Sequence, residues 1–484
     1  MGAKFSTQTQ SLVNNVTNYV TSKKRKYCDY CESDEVSKVI DIALHTPKRK
    51  KLVSTAKYIY QALFLEGKNS DVTVCALGEE FHLHRVYLCQ SPYFASMFGG
   101  SWLETTQKYI NIDVVDPLMT VDSLKVVLGS LYNCEIVLNP LEIVPILATA
   151  TMFQLDGIIE KCTEVMLETI NPKTSLEYYT AACQYGDKKL QGVCFKWFLV
   201  NLMPYYFNYP MSKLKTIPVS LMAKLVAHPD LFVIQTEYSI YVMLKYWIYL
   251  YLFPEKEEPS ISVVNEYFCS RTDKLPYLLT NEGKQFIPVF EGLRLHNLIS
   301  HQLDICLILR DNIIPRTWLD PLVLKQWKTV LRVNQNDDKG PSNVSDELFL
   351  ADSLRCGRVL TARGRHVWRW TGFHFGMDLL MIIDGSTLSI KRNHRSEFEQ
   401  LLSLQTTRHV AIRVTVVRLN EQRQIVYMKQ SDVLKLPLAK GEEVQVMSLE
   451  KELEYPIIIS ANIMYTSPEA QECATIDESR QTVS

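Results

Sequence analysis

Ser70-Asp71-Val72-Thr73-Val74-Cys75, then Phe81-His82-Leu83-His84-Arg85-Val86-Tyr87-Leu88, then Ser91-Pro92-Tyr93-Phe94-Ala95-Ser96-Met97-Phe98-Gly99-Gly100-Ser101-Trp102-Leu103-Glu104 is the stretch that decides the fold. Val72 and Val74 alternate with small or polar residues, which predicts a strand. A Gly78-Glu79-Glu80 turn follows, and a short apolar run through Phe81 and Leu83 predicts its partner. The period then lengthens: Val86, Leu88, Phe94, Met97 and Phe98 fall at helical spacing. Ser91-Pro92 reads as a helix start, with serine as cap and proline in the first turn. Strand, strand, helix in this order is a hairpin feeding a compact helical unit.

The rest of the chain sets the limits. Its 484 residues suffice for two to four domains. With 47% hydrophobic residues and a net charge of −1 it is not a disordered chain, and nothing in the overall balance points to nucleic acid or acidic partners. Twelve cysteines, among them Cys89, Cys134, Cys183 and Cys194, lie in apolar contexts with no signal peptide before them. They read as buried free thiols of an intracellular protein. No apolar run approaches the twenty or so residues a membrane span needs.

Residues 1–55 read as a disordered tail. Met1-Gly2-Ala3-Lys4-Phe5-Ser6 fits the N-myristoylation pattern, with Gly2 as the acceptor; the competing reading is a chance match in the tail. Lys23-Lys24-Arg25-Lys26 and Lys48-Arg49-Lys50-Lys51 are each the size of a nuclear-import signal, against the alternative of solvated charge runs. One acyl chain holds a membrane only weakly, so a polybasic cluster could also supply the second attachment. Cys28 and Cys31 have zinc-knuckle spacing but no second pair nearby, so no metal site is expected.

The central stretch resembles a BTB (POZ) domain. The likeness rests on Asp71 before the first strand, on Phe81, His84 and Arg85, and on Ser91, Phe94, Met97 and Phe98. It places the domain at 56–170, with a strand at Tyr109–Val114, a helix at Ser123–Tyr132, a strand near Glu135–Leu138, and helices at Leu141–Ala150 and Gly157–Thr169. The resemblance implies a homodimer built on Ile59, Leu63 and Phe64, with Asp71 at its edge; cover from within the same chain is the alternative. It also implies cullin-3 docking, because BTB proteins that recruit cullin-3 carry a hydrophobic-x-acidic triplet where this chain has Trp102-Leu103-Glu104, beside Phe98. An apolar anchor of this kind fills a partner pocket while the carboxylate fixes register.

Residues 171–333 read as helical. Glu237, Tyr241, Leu244 and Trp247 are similar to a helix of BACK domains, and their stripe reads as core. Asn334–Asn343 opens a polar linker running to about residue 345. From 346 to 468 the pattern is short strands at Val367–Trp370, Leu379–Ile383, Leu388–Lys391, Val410–Val417, Ile425–Met428 and Pro456–Ile459, which predicts a sandwich or barrel. No propeller period and no paired Cys-His tail appear. Residues 469–484 read as a second disordered tail. The class is thus a multidomain α+β protein: a BTB unit, a BACK-like helical region and a sandwich-like C-terminal module.

Leu52–Leu65, Arg355-Cys356-Gly357-Arg358 and Trp368-Arg369-Trp370-Thr371-Gly372-Phe373-His374-Phe375-Gly376 resemble the germ cell-less family, as do the basic run before the BTB unit and Met464–Pro468. The resemblance implies a substrate adaptor of a cullin-3 ubiquitin ligase, nuclear-envelope or lamina association, and a role in germ-cell formation. A nuclear-envelope scaffold or transcriptional co-repressor acting through a BTB dimer is the alternative. A nuclear location is expected, with a second pool at the cell cortex through the N-terminal lipid. Trp368, Trp370, Phe373 and Phe375 read as core more than as substrate contacts, while Arg363, Arg365 and Arg369, with Phe373, are the candidate substrate contacts. No phosphate loop, nucleophile elbow or HExxH appears, and His84 reads as structural, so no enzyme, cofactor or direct nucleic-acid contact is expected. The module at 346–468 would then hold a protein substrate.

Overall fold

The computed structural model describes residues 55–468, except 101–104, 134–135, 208–210, 257, 272–274, 338–339, 371–375 and 395–401. The chain divides into two compact units, 1–58 and 59–484. Of the first, only the start of α1 (Thr55–Ile59) is described. Gly2 and both basic clusters lie outside the described residues, as do Cys28 and Cys31.

The second unit begins with a π-helical stretch, Tyr60–Leu65. β1 (Val72–Ala76) and β2 (Glu79–Leu83) pair antiparallel, and β3 (Tyr109–Ile112) joins β1 in parallel, giving the order β2-β1-β3. Val72, Val74, Ala76, Phe81, Leu83, Ile110 and Ile112 all face the core, as two-residue alternation requires. α2 (Arg85–Leu88) and α3 (Pro92–Gly99) follow. The Ser91 hydroxyl accepts the Phe94 N–H at 3.4 Å, and Pro92 occupies the first turn. α4 (Val121–Ser130) opens on a Thr120–Ser123 capping box. α5 (Ile143–Met152) and α6 (Asp156–Thr169) complete the BTB unit. The expected strand near Glu135 does not form among the described residues: 136–138 join no ladder. A short β-prone run that pairs with no other strand stays irregular.

α7 (Ser175–Tyr185) ends on Gly186 at φ 76°, and α8 (Lys188–Asn201) is capped by Asp187. The helices continue as α9 (Val219–Ala227), α10 (Glu237–Leu252), α11 (Ile261–Cys269), α12 (Ile287–Glu291), α13 (Gln302–Asp311) and α14 (Arg316–Asn334). Tyr241, Leu244 and Trp247 are fully buried on α10, as the stripe predicts. One apolar cluster runs without a break from Val72 of β1 to Leu319 of α14, so the BTB unit and the helical region share a core.

The C-terminal module opens with a helix, α15 (Asp346–Asp352), and then consists of strands. These are β4 (Leu354–Leu360), β5 (His366–Arg369), β6 (Asp378–Asp384), β7 (Thr387–Asn393), β8 (Thr407–Leu419), β9 (Ile425–Gln430), β10 (Leu434–Ala439), β11 (Glu443–Ser448) and β12 (Ile457–Thr466). One antiparallel sheet runs β10-β8-β12-β4, with β9 also on β8; the other runs β11-β7-β6-β5. Val410, Ile412, Val414 and Val416 of β8 meet Met381, Ile383, Leu388 and Ile390 of the second sheet in one core. Trp368 and Trp370 lie in that core with ring centroids 5.5 Å apart. The sequence pattern misses β4, β10 and β11.

Among the described cysteines, Cys162, Cys194 and Cys356 are buried thiols, but Cys89 and Cys183 are exposed, against expectation: Cys89 follows the last residue of α2, and Cys183 lies in the last turn of the Ser175–Tyr185 helix. No described helix is long and apolar enough to cross a membrane.

Candidate docking surfaces

Trp102, Leu103 and Glu104 lie outside the described residues, and the structure shows what flanks them. α3 stops at Gly99, and the Thr105 hydroxyl donates to the Gly100 carbonyl at 2.9 Å and to that of Met97 at 3.3 Å. The Arg85 guanidinium donates to the carbonyls of Thr105 and, at 2.6 Å, Gln107, and lies 4.7 Å above the Phe98 ring. The residues on both sides of 101–104 are thus held by hydrogen bonds within the domain. Phe98 itself is only half-exposed and stacks on Phe94 at 6.0 Å, so part of its surface is already used inside the domain.

The Phe81-x-x-His84-Arg85 signature proves to be scaffolding. The backbone N–H of His84 donates to the Tyr132 hydroxyl at 2.9 Å, and its ring contacts the same hydroxyl at 3.2 Å and the Lys68 carbonyl at 2.9 Å. Burial pushes the Tyr132 phenol up to about 12, so it stays a neutral donor. The Asp71 carboxylate accepts the Arg85 N–H at 2.9 Å and so starts α2.

Ile59, Leu63 and Phe64 are partly buried against the unit's own core. Phe64 lies 5.3 Å from Tyr132, and a Cβ on Gly129 would come within 2.9 Å of the Phe64 ring. Leu65 remains exposed, above a cleft of about 400 Å³ lined by Tyr60, Phe64, Phe81 and Val126.

Of the arginines proposed to touch a substrate, Arg369 is already engaged. It binds the fully buried Asp378 through two contacts of 2.5 and 2.7 Å, and Asn393 adds a third at 2.6 Å. Arg363 is exposed, and exposed Arg365 reaches Asp384 only at 3.7 Å, a pair of little weight. Phe373 lies outside the described residues.

The least anticipated constellation joins the helical region to the β module. Glu237, the first residue of α10, is fully buried and accepts both arms of the Arg355 guanidinium from β4. Arg355 also donates to the carbonyls of Val226 at 2.6 Å and His228 at 3.0 Å. Glu237 accepts the Arg294 N–H at 2.9 Å, and the Arg294 guanidinium holds Ser353 and Leu350. Burial, reinforced by the Arg355 charge, pulls Arg294 down to about 9, while Glu237 and Asp352 oppose the shift. Next to this lock, Gly357 exchanges both backbone hydrogen bonds with Gln235, at 2.9 and 3.3 Å. A Cβ at 357 would stand 2.4 Å from the Val233 carbonyl, so only glycine lets the strand come this close. Arg413 of β8 adds a 2.5 Å contact to Asp230. The sequence pattern anticipates neither half of this lock: Glu237 reads as part of the α10 pattern, and β4, which carries Arg355, is not read as a strand.

Comparison with known proteins places these features. A BTB/POZ domain model matches residues 60–170. The chain is 44% identical over 452 residues to protein germ cell-less of Drosophila melanogaster, covering 88% of this chain and 79% of that one. It is 39% identical to human germ cell-less protein-like 1, over 88% and 84% of the two chains, and 38% identical to human germ cell-less protein-like 2, over 93% and 88%. The chain belongs to the germ cell-less family. The residues that carried the resemblance now have physical roles in this germ cell-less chain. Arg355 closes the lock, Cys356 fills the sandwich core, Gly357 permits the close approach, and Arg358 lies 5.6 Å over the Trp368 ring.

Proposed function

We propose that this germ cell-less protein is a non-enzymatic adaptor of a cullin-3 ubiquitin ligase that takes part in germ-cell formation. The BTB unit pairs with a second copy through the exposed remainder of the Tyr60–Leu65 surface and docks cullin-3 through Trp102, Leu103 and Glu104. The C-terminal module holds a protein substrate. Its contribution is proximity: a ligase-bound ubiquitin donor and a substrate are kept within reach of each other. A dimer would add avidity for paired substrates.

The observation that carries this reading is the rigid path between the two ends. The BTB unit and the helical region share one core, and the Glu237–Arg355 lock ties that core to the β module. A chain that only tethers has no need of a fixed distance. The N-terminal segment, with Gly2 acylated and Lys23–Lys26 and Lys48–Lys51 read as import signals, would place the adaptor at the nuclear envelope or another membrane surface.

The test is capture of purified cullin-3 by the full chain and by the Trp102→Ala/Glu104→Lys variant. Wild type binds, and the variant loses about 2 kcal/mol or more, as for a central anchor and its charge. No capture by wild type, or equal capture by both, overturns the adaptor reading.

A further inference from the structure

On the seam between α14 and the β module lies a cavity of about 210 Å³. Its rim is one face of α14: Lys325, Thr329 and Arg332, at spacings of four and three. Its floor is Leu354 of β4, Ile463, Met464 and Tyr465 of β12, and Arg408 of β8, which is only 4% exposed. His296 and Asn297 form the third side, held by contacts of 2.8 and 3.1 Å to the Asp352 carbonyl.

The fourth side is the described end of the linker, and it is built tightly. Ser467 donates its N–H to the Pro341 carbonyl at 3.0 Å and its hydroxyl to that of Gly340 at 2.8 Å. A Cβ at Gly340 would stand 2.6 Å from the Tyr465 carbonyl. The sequence reads Asn334–Asn343 as a spacer, yet this part of it is a fixed wall.

The charge of the lining is one-sided. Among the described lining residues Lys325, Arg332 and Arg408 are basic and Asp352 alone is acidic. Among the described residues neither Lys325 nor Arg332 is paired with an acid, and both are exposed. The space is smaller than the 300 Å³ or so of an ordinary small-molecule pocket. It suits a side chain or two, and an arginine fork beside a lysine favours a carboxylate.

We propose that this cavity receives an aspartate or glutamate side chain from an extended segment of a bound protein. The inference rests on the adaptor reading and narrows it: the substrate contact is the seam behind α14, and the substrate class is an acidic peptide segment. The exposed Arg363 and Arg365 of the sandwich are then secondary.

The experiment selects a displayed library of random, unmodified decapeptides on the full chain, in parallel with the Lys325→Glu/Arg332→Glu variant. Both substitutions are at exposed positions and leave the core untouched. Wild type enriches Asp and Glu about tenfold over input, and the variant loses that enrichment or turns it toward Lys and Arg. Absence of acidic enrichment on wild type, or the same enrichment on the variant, overturns the site. Cullin-3 capture by both proteins is read alongside. Acidic enrichment without cullin-3 capture keeps the site and removes the ligase, whereas capture without enrichment removes the site alone.

Discussion

The two seams of this molecule are made of opposite materials. Between the BTB unit and the helical region the joint is apolar and continuous, with only peripheral polar contacts such as Thr163 to Asp187 at 2.6 Å and Tyr185 to Asp116 at 2.7 Å. Between the helical region and the sandwich the apolar part is small: Val200 and Phe232 against Val417 and Ile458. The rest of that joint is buried charge and paired backbone. Apolar contact is non-directional and tolerates small slips, while a bidentate arginine–carboxylate pair accepts one geometry. The first seam thus makes one body of two folds, and the second fixes how the sandwich is aimed.

If that contrast holds, single changes should cost most at the charged seam. Arg355→Met leaves the Glu237 carboxylate buried without its partner, and the expected loss is about 3–5 kcal/mol. Denaturant unfolding measures it, and a loss below about 1 kcal/mol would mean that Arg294 alone suffices. Replacing both partners, Glu237→Gln with Arg355→Met, should recover at least half, because the penalty is an unpaired charge and not the missing pair. Next comes Gly357→Ala. Its methyl would meet the Val233 carbonyl, so β4 must move off residue 235, at about 1–3 kcal/mol. Amide exchange at Gln235 and Gly357 should quicken in that variant, and unchanged protection at both would contradict the close-approach argument.

The same contrast governs how much was readable in advance. Ser91, Pro92, Val72, Val74 and Phe81 each act within a few residues of themselves, so their pattern predicts β1, β2 and α3 directly. The α10 stripe is equally plain, because burial on all sides needs only apolar residues at helical spacing. β10 is hidden by Pro437, which a strand tolerates at a sheet edge such as this one. β4 is hidden because Arg355 and Arg358 break its apolar alternation, and they do so to serve the lock and the Trp368 ring. Ile457-Ile458-Ile459 reads as a strand but not as one buried twice: Ile457 and Ile459 enter the sandwich, and Ile458 meets the helices. Partners more than a hundred residues apart, such as Glu237 and Arg355, have no local signature. The seam cavity is of the same kind, since its walls come from six separate stretches of chain.

At the apolar seam a matching polar deletion should matter little. Thr163→Val removes the hydroxyl that donates to Asp187, but Asp187 still caps α8 through the Leu190 N–H at 2.9 Å. The expected cost is about 1 kcal/mol. A loss as large as that of Arg355→Met would erase the difference between the seams.

The smallest effect is a pH dependence confined to the charged seam. His228 is half-buried there. Its Nδ1 accepts the Asp230 N–H at 3.1 Å, its carbonyl accepts Arg355, and its ring meets Phe195 edge-on at 5.5 Å. Burial lowers its pKa below the usual 6.5. The Asp230 carboxylate, 4.0 Å away, opposes this, and Arg413 and Arg355 add to it. The unfolded chain therefore takes up the proton before the folded one does. Stability from this group is complete above about pH 6.5 and declines as the pH falls through the folded value. Protonation also removes the lone pair that Asp230 uses. Denaturation midpoints at about pH 7.5, 6.5 and 5.5 should fall in that order, before the carboxylates titrate, and His228→Gln should flatten the trend. Parallel curves for the two proteins would place the pH dependence on some other group, and the charged seam would then be insensitive to acid in this range.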